Sequence, residues 1–296
     1  MRITVLGAGT MGSGIAQVCA RAGHEVTIRD VEADLVDEGI DSVAATLAEG
    51  VDLGKLDEDE RTATLDRIAG TTDLAAAVED ADLVVEAVPE DIDLKREVLA
   101  EVEAAAPGDA RIATNTSSLS VTEIAASLDR PERLIGLHFF NPAHLMDLVE
   151  IVVPGRASEA TVEFAEEFVA GIDREPIVVR DTAGFATSRL GAIQGVEAMR
   201  MVETGVADPR SLDRGMELGY NHPMGPIELG DVIGLDVRLD ILTHLREELG
   251  ERFRPPSILR RKVRAGRLGR KTGAGFYVWD DDEIVGVADD ALEGRR

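Results

Sequence analysis

The run Met1-Arg2-Ile3-Thr4-Val5-Leu6-Gly7-Ala8-Gly9-Thr10-Met11-Gly12 decides how the first half of this chain folds. Residues 3–6 are a short apolar and β-branched run that reads as a strand, and it feeds a glycine-rich turn that opens an amphipathic stretch at residues 11–22. A bare GxGxxG pattern is a weak signal, but placed between a strand and a helix it is a strong one. Gly7 permits the tight turn, Gly9 lets backbone approach a pyrophosphate, and Gly12 lets helix and strand pack closely. Thr10 and Met11 then stand in the first helical turn, where unpaired N–H groups and the positive end of the helix dipole face an anion. Gly23 ends this helix, and the next strand closes with Asp30. A carboxylate there accepts hydrogen bonds from an adenosine ribose and repels a 2′-phosphate, which favours NAD over NADP, although Arg29 beside it works slightly the other way. Cys19 falls on the inner face of the helix and reads as a small buried hydrophobe.

Outward from this turn, β-branched runs alternate with amphipathic stretches up to about residue 180, as in an α/β doubly wound sheet. Strands are expected at 3–6, 25–29, 83–88, 111–114, 134–138 and 177–179, and 148–153 is a further candidate whose direction, parallel or antiparallel, the sequence leaves open. Helices are expected at 11–22, 34–49, 94–105, 121–128 and 159–171, and residues 51–59 read as a turn between two helices. Beyond Asp181 the strands stop, and 184–202, 209–218, 231–248 and 256–263 read as helices. The reading is therefore two domains, a nucleotide-binding one at 1–181 that carries the chemistry and an all-helical one at 182–296. A helical half with a long first helix often supplies a dimer interface.

Composition narrows the function. The 296 residues are 44% hydrophobic, enough for a sizeable core, and no apolar run approaches the length of a membrane span. The first residues run straight into a strand and do not read as a signal peptide, and one cysteine fits a reducing compartment, so the expected location is the cytoplasm. The net charge is −26, from 57 acids against 31 bases, of which only Lys55, Lys95, Lys262 and Lys271 are lysines. That field repels nucleic acid and anionic lipid surfaces, so neither is an expected partner. Dispersed acids with few lysines are typical of halophilic proteins, whose counterions screen the self-repulsion.

An alcohol dehydrogenase needs a base for the hydroxyl proton, and histidine titrates near working pH. Among five histidines, His24 follows a helix-ending glycine, His244 sits in a charged helix and His222 lies in a proline-glycine turn, while His144 has no evident partner. His138 ends a strand, at the edge where open α/β sheets bind ligands. Glu150, apolar-flanked, follows twelve residues on. A carboxylate paired with the imidazole fixes its tautomer and stabilises the imidazolium, but spacing alone does not separate such a dyad from a buried structural pair. Asn115-Thr116-Ser117-Ser118 ends another strand. Its first serines suit a ligand, whereas Ser120 suits the cap of the following helix.

These residues resemble the L-3-hydroxyacyl-CoA dehydrogenase family, most closely its 3-hydroxybutyryl-CoA members, over nearly the whole length. The resemblance rests on Gly7–Gly12, Glu86-Ala87-Val88-Pro89-Glu90, Asn115-Thr116-Ser117-Ser118-Leu119, His138-Phe139-Phe140-Asn141-Pro142, Leu148-Val149-Glu150, Pro223-Met224-Gly225-Pro226 and Lys271-Thr272-Gly273-Ala274-Gly275-Phe276-Tyr277. It implies a Rossmann-like domain followed by a helical dimerising domain, and reversible NAD-linked oxidation of an (S)-3-hydroxyacyl-CoA to the 3-oxoacyl-CoA, as in fatty-acid β-oxidation. It further implies that His138 is the base, that Glu150 orients it, and that Ser117 bonds the substrate oxygen and approaches the nicotinamide. Asp30, Glu90, Lys95, Asn141 and Lys271 match the family's other NAD-contacting positions.

Two departures stand out. Ser188 replaces the asparagine of the family's Gly-Phe-x-x-Asn-Arg string, with a shorter reach. Around residues 50–53 the chain lacks the lysines that the family places near the CoA phosphates, leaving Lys55 as the nearby candidate. Residues 260–271 hold seven bases and no acids, read either as a helix end paired with neighbouring acids or as charge offsetting cofactor or CoA phosphates, Lys271 first among them. A related dehydrogenase of a small free hydroxy acid or sugar acid is the competing reading.

Overall fold

Ile3, Val5 and Leu6 are buried because their strand, β1 (Arg2–Leu6), lies inside a wide sheet with helices packed against it. The computed structural model describes residues 1–288, and the chain divides into two compact units, Met1–Thr182 and the residues from Ala183 onward. The tail of the expected helical domain, 289–296, lies outside the described residues.

In the first unit β1 leads to α1 (Thr10–Arg21), β2 (Glu25–Arg29), α2 (Ala33–Asp52), α3 (Glu58–Leu65), β3 (Ile68–Thr71), α4 (Leu74–Val78) and β4 (Leu83–Glu86). There follow α5 (Ile92–Ala105), β5 (Arg111–Thr114), α6 (Val121–Ala125), β6 (Leu134–Phe139), β7 (Leu148–Val153), α7 (Glu159–Gly171) and β8 (Glu175–Arg180). The strands form one sheet in the order β3-β2-β1-β4-β5-β6-β7-β8. All pairs from β3 to β6 are parallel, β7 is antiparallel to β6, and β8 is parallel to β7. Strand order reverses between β1 and β4, and at such a point the carboxyl ends of the strands open a crevice for a ligand.

Every expected strand of this half is present, and the one at 148–153 is antiparallel to its neighbour in β6. β4 stops at Glu86 rather than residue 88, because the Val88 N–H leaves the ladder and donates to Glu86 Oε1 at 2.7 Å. Two elements carried no usable signal. β3 is a four-residue, half-exposed edge strand, and α4 is a five-residue helix started by the Asp73 carboxylate on the Ala76 N–H. The turn expected near residues 51–59 separates α2 from α3, which opens on a capping box between Asp57 and Glu60.

The second unit holds α8 (Thr187–Glu203), α9 (Pro209–Tyr220), α10 (Pro226–Ile233), α11 (Leu235–Leu249) and α12 (Ser257–Arg264). Two antiparallel strands, β9 (Tyr277–Asp280) and β10 (Glu283–Val287), close it, so strands do not stop at Asp181 as expected. The helix expected at 231–248 is two helices, broken where Gly234 takes φ 104°, and α8 starts at Thr187 because Gly184 and Phe185 both have positive φ. Buried acids hold the hairpin in place. Asp231 accepts from the Phe276 and Tyr277 N–H groups and from Trp279 Nε1, at 2.9–3.0 Å. Asp213 accepts from Ile227 and Glu228 N–H at the start of α10 and from the Tyr277 hydroxyl. Burial lifts both carboxyls above the ordinary range, against the pull of these donors.

The basic strip is largely taken up inside this unit. Lys262 is buried, donating to the Gly275 carbonyl beneath the Phe276 ring; Arg270 pairs with Asp282, and Lys271 with Asp236 at 2.6 Å.

Candidate active site

The turn after β1 is shaped by backbone that leaves no room for side chains. Gly7 has φ 98°, and a Cβ there would sit 2.6 Å from the Ala87 carbonyl oxygen; a Cβ on Gly12 would run into the carbonyl oxygen of Gly7. Gly9 differs, since a Cβ there would meet nothing within 4 Å: this residue faces open space. That space is a cavity of about 890 Å³ lined by the glycine turn, Thr10, Met11, Asp30 and residues 87–89. No side chain caps the start of α1, so the helix end is available to an anion. Asp30 is pinned at the rim, with Oδ2 accepting the Ala8 N–H and Oδ1 the Val31 N–H, both at 2.7 Å. Arg29 is turned onto the Thr72 carbonyl at 3.2 Å. Open space at Gly9, an uncapped helix start and a fixed carboxylate beyond it fit a dinucleotide.

A second cavity, about 330 Å³, adjoins the first through Met11, Ala87 and Val88, and is also lined by Glu90, Lys95, Asn115, Ser117, His138 and Asn141. The twelve-residue spacing of His138 and Glu150 has a simple origin. β6 and β7 are antiparallel, and the two residues are direct cross-strand partners. Glu150 Oε2 lies 2.7 Å from His138 Nδ1; the carboxylate is fully buried and the imidazole nearly so, with the Phe140 ring 4.5 Å away. A carboxylate can only accept here, so Nδ1 carries the hydrogen and Nε2 is the basic nitrogen. Asn115, at the end of β5, accepts the Phe139 N–H at 2.9 Å and ties the histidine strand to the serine loop.

A charge network fixes the opposite wall. Glu86, fully buried, accepts from Lys95 Nζ at 2.7 Å, from Val88 N–H, and from the Thr114 hydroxyl at 2.6 Å. Lys95, also buried, reaches Glu90 at 3.4 Å. Glu90 in turn accepts from the Thr116 hydroxyl and the Ser117 N–H, holding the serine loop against the cavity. Burial acts to raise the Glu90 carboxyl, but Lys95, Thr116 and Ser117 together hold it below its ordinary value. Glu86, quoted in the sequence only as part of the string 86–90, was given no role there, although an acid at the end of the apolar run Leu83-Val84-Val85 signals a buried partner. Ser120 caps α6 through the Glu123 N–H. Lys55 is exposed in the turn between α2 and α3, whereas Ser188, in the first turn of α8, and Lys271 belong to the second unit. Cys19 is fully buried, and burial pushes its thiol up to about 12.

A carboxylate-held imidazole opening beside a pyrophosphate cradle serves the transfer of a hydride from an alcohol, and by class the chain is an NAD-dependent dehydrogenase. Residues 2–182 match the NAD binding domain of 3-hydroxyacyl-CoA dehydrogenase and residues 184–279 its C-terminal domain, so the chain belongs to the 3-hydroxyacyl-CoA dehydrogenase family. It is 41% identical to a 3-hydroxybutyryl-CoA dehydrogenase of Bradyrhizobium diazoefficiens, over 93% of this chain and 94% of that protein. With the Clostridioides difficile 3-hydroxybutyryl-CoA dehydrogenase it shares 39% identity, over 94% and 99%. The crystal structure of (S)-3-hydroxybutyryl-CoA dehydrogenase PaaH1 from Ralstonia eutropha superposes with a TM-score of 0.91 at 38% identity, covering 94% of this chain and 99% of that one.

Proposed function

We propose that the protein interconverts short-chain (S)-3-hydroxyacyl-CoA, 3-hydroxybutyryl-CoA foremost, and the 3-oxoacyl-CoA. NAD, when bound, would supply the hydride acceptor, and the turn of residues 7–12 with Asp30 would hold it. His138 Nε2 takes the 3-hydroxyl proton as the alcohol is oxidised and returns it in reduction. Glu150 fixes the tautomer and stabilises the imidazolium that proton transfer creates. Ser117, on the loop held by Glu90, donates its hydroxyl to the substrate oxygen, and Asn141 and the Glu90–Lys95 pair shape the nicotinamide side. Ser188, in the first turn of α8, stands in place of the family's longer amide with a hydroxyl of shorter reach. The observation that carries this reading is the 2.7 Å His138–Glu150 contact at a cavity adjoining the glycine cradle.

NADH oxidation with acetoacetyl-CoA and with free acetoacetate tests it. A strong preference for the thioester is expected, and equal or better use of the free acid moves the protein to the hydroxy-acid reading. Histidine-to-glutamine replacement at position 138 is expected to abolish turnover, and unchanged turnover removes the mechanism.

Three further features belong to this proposal. The protein is a homodimer through its helical unit, whose exposed apolar side chains include Leu218 and Tyr220, and light scattering reads the mass. It works in the cytoplasm; no helix among the described residues is long and apolar enough to cross a membrane. Its acidic surface is suited to high salt, so the unfolding midpoint rises between dilute buffer and molar KCl.

A further inference from the structure

Ser117 stands on the loop 115–120 that joins β5 to α6, and a carboxylate fastens that loop at each end. At its start Glu90 accepts from the Thr116 hydroxyl at 2.6 Å and from the Ser117 N–H at 3.0 Å. Within it Thr116 Oγ1 accepts the Leu119 N–H at 2.9 Å, so the middle of the loop closes on itself. At its end the Ser120 hydroxyl donates to Asp181 Oδ2 at 2.9 Å, and the Thr122 N–H donates to the same oxygen at 2.6 Å. Asp181 lies 61 and 59 residues from these two donors, so only the tertiary fold brings it there.

The base from which Asp181 reaches is firm. β8 ends at Arg180, paired with Val153 of β7, and the Asp181 N–H extends the ladder by donating to the Val153 carbonyl at 3.0 Å. Its carboxylate then completes the start of α6. Ser120 Oγ accepts the Glu123 N–H at 3.2 Å, as a capping serine does, and Asp181 takes the Thr122 N–H that the serine leaves over. A helix of five residues is too short to hold its first turn unaided. Burial of Val121 and Ile124 keeps α6 against its neighbours, but apolar packing is non-directional and does not set the path of the loop entering it.

We propose that Asp181 is a positioning residue for Ser117, setting with Glu90 where the serine hydroxyl stands. The inference rests on the reading of Ser117 as donor to the substrate oxygen, and adds the group that holds it from the far side. Ser120 is only three positions on from Ser117, so slack at the Asp181 contact passes directly to the hydroxyl. A shift of about 1 Å in such a group can cost roughly 100-fold in rate. Hydrogen bonds to a charged acceptor are stronger than neutral ones, and Asp181 makes two of them where Ser120 alone would leave the joint loose. The clamp stands one residue before the first unit ends at Thr182.

The test is a double-mutant cycle on kcat/KM for acetoacetyl-CoA reduction, using Asp181→Ala, Ser117→Ala and the two together. Each single change is expected to lower kcat/KM by about tenfold or more. With Ser117→Ala already present, Asp181→Ala should cost less than about twofold further, since no hydroxyl remains to be placed. Asp181→Asn, whose amide oxygen still accepts, should recover part of the loss. The NADH dissociation constant should stay within about twofold, because Asp181 lines neither cavity. If Asp181→Ala does not fold, Ser120→Ala completes the same cycle by removing the hydroxyl that Asp181 holds. Losses that multiply in the double variant are those of a merely structural residue and overturn the proposal, as does an Asp181→Ala enzyme with wild-type kcat/KM. A Ser117→Ala enzyme with wild-type kcat/KM instead overturns the reading of Ser117 beneath it.

Discussion

Changing Glu150 to glutamine removes one charge while keeping nearly the same shape, and the structure allows the cost to be worked out. The carboxylate and the His138 ring are both buried, 2.7 Å apart between Oε2 and Nδ1, so solvent screens little of their attraction. Two unit charges about 4 Å apart attract by about 4 kcal/mol at an effective dielectric constant near 20. The amide retains a neutral hydrogen bond worth about 1 kcal/mol. The imidazolium that forms as the alcohol loses its proton is thus destabilised by about 3 kcal/mol, a loss of roughly 100-fold in kcat. The assay is steady-state oxidation of 3-hydroxybutyryl-CoA at saturation, with NADH affinity read separately by fluorescence. Glu150 lines neither cavity, so the NADH dissociation constant should stay within about twofold while kcat falls. Glu150→Asp keeps the charge but draws it back by one methylene, and should recover part of the rate. A kcat within about threefold of wild type, or a fall in NADH affinity matching the fall in rate, refutes the assignment of Glu150 to holding the base.

Gly9→Ala and Gly12→Ala should separate binding from folding. The first adds a methyl group to open cavity and weakens NADH binding with the thermal midpoint unchanged, whereas the second collides with the Gly7 carbonyl and lowers the midpoint itself; calorimetry and NADH titration read the two. Asp30→Ser removes the carboxylate from the ribose end of the cradle and leaves Arg29 beside it, so the preference for NADH over NADPH should shrink by about tenfold or more, measured as a ratio of kcat/KM. Glu90 titrates below its ordinary value of 4.5 in the fold, so it contributes stability above that pH that is lost as pH falls through the depressed folded value. Thermal midpoints between pH 7 and pH 3.5 should therefore drop more steeply for wild type than for Glu90→Gln. The difference should be under about 1 kcal/mol, because the side chain is over a third exposed.

What was legible in the sequence is what local chemistry dictates. The strand at 3–6, the glycine turn and Asp30 sit where their spacing places them, because a tight turn, a helix start and a strand end are each decided within a few residues. Buried polar pairs across longer separations were legible only in part, since topology selects their partners: spacing left the His138–Glu150 pair open between a dyad and a structural pair. Glu150 meets His138 only because β7 is antiparallel to β6 in one particular register; shifted by one residue, its side chain would face the other side of the sheet. The closing hairpin was missed for the same reason. Tyr277 and Trp279 form too short a pattern to announce a strand, and Asp231, which receives three of the hairpin's donors, lies more than forty residues upstream. Glu86 makes the same point at the active site: its partners Lys95 and Thr114 come from different elements, and the chain of contacts ends on the Ser117 loop. Positioning of His138 and of the Ser117 loop therefore depends on carboxylates that the core must desolvate. Each is tolerated because the sheet brings it donors, and the same donors keep the imidazole and the serine loop from relaxing out of place.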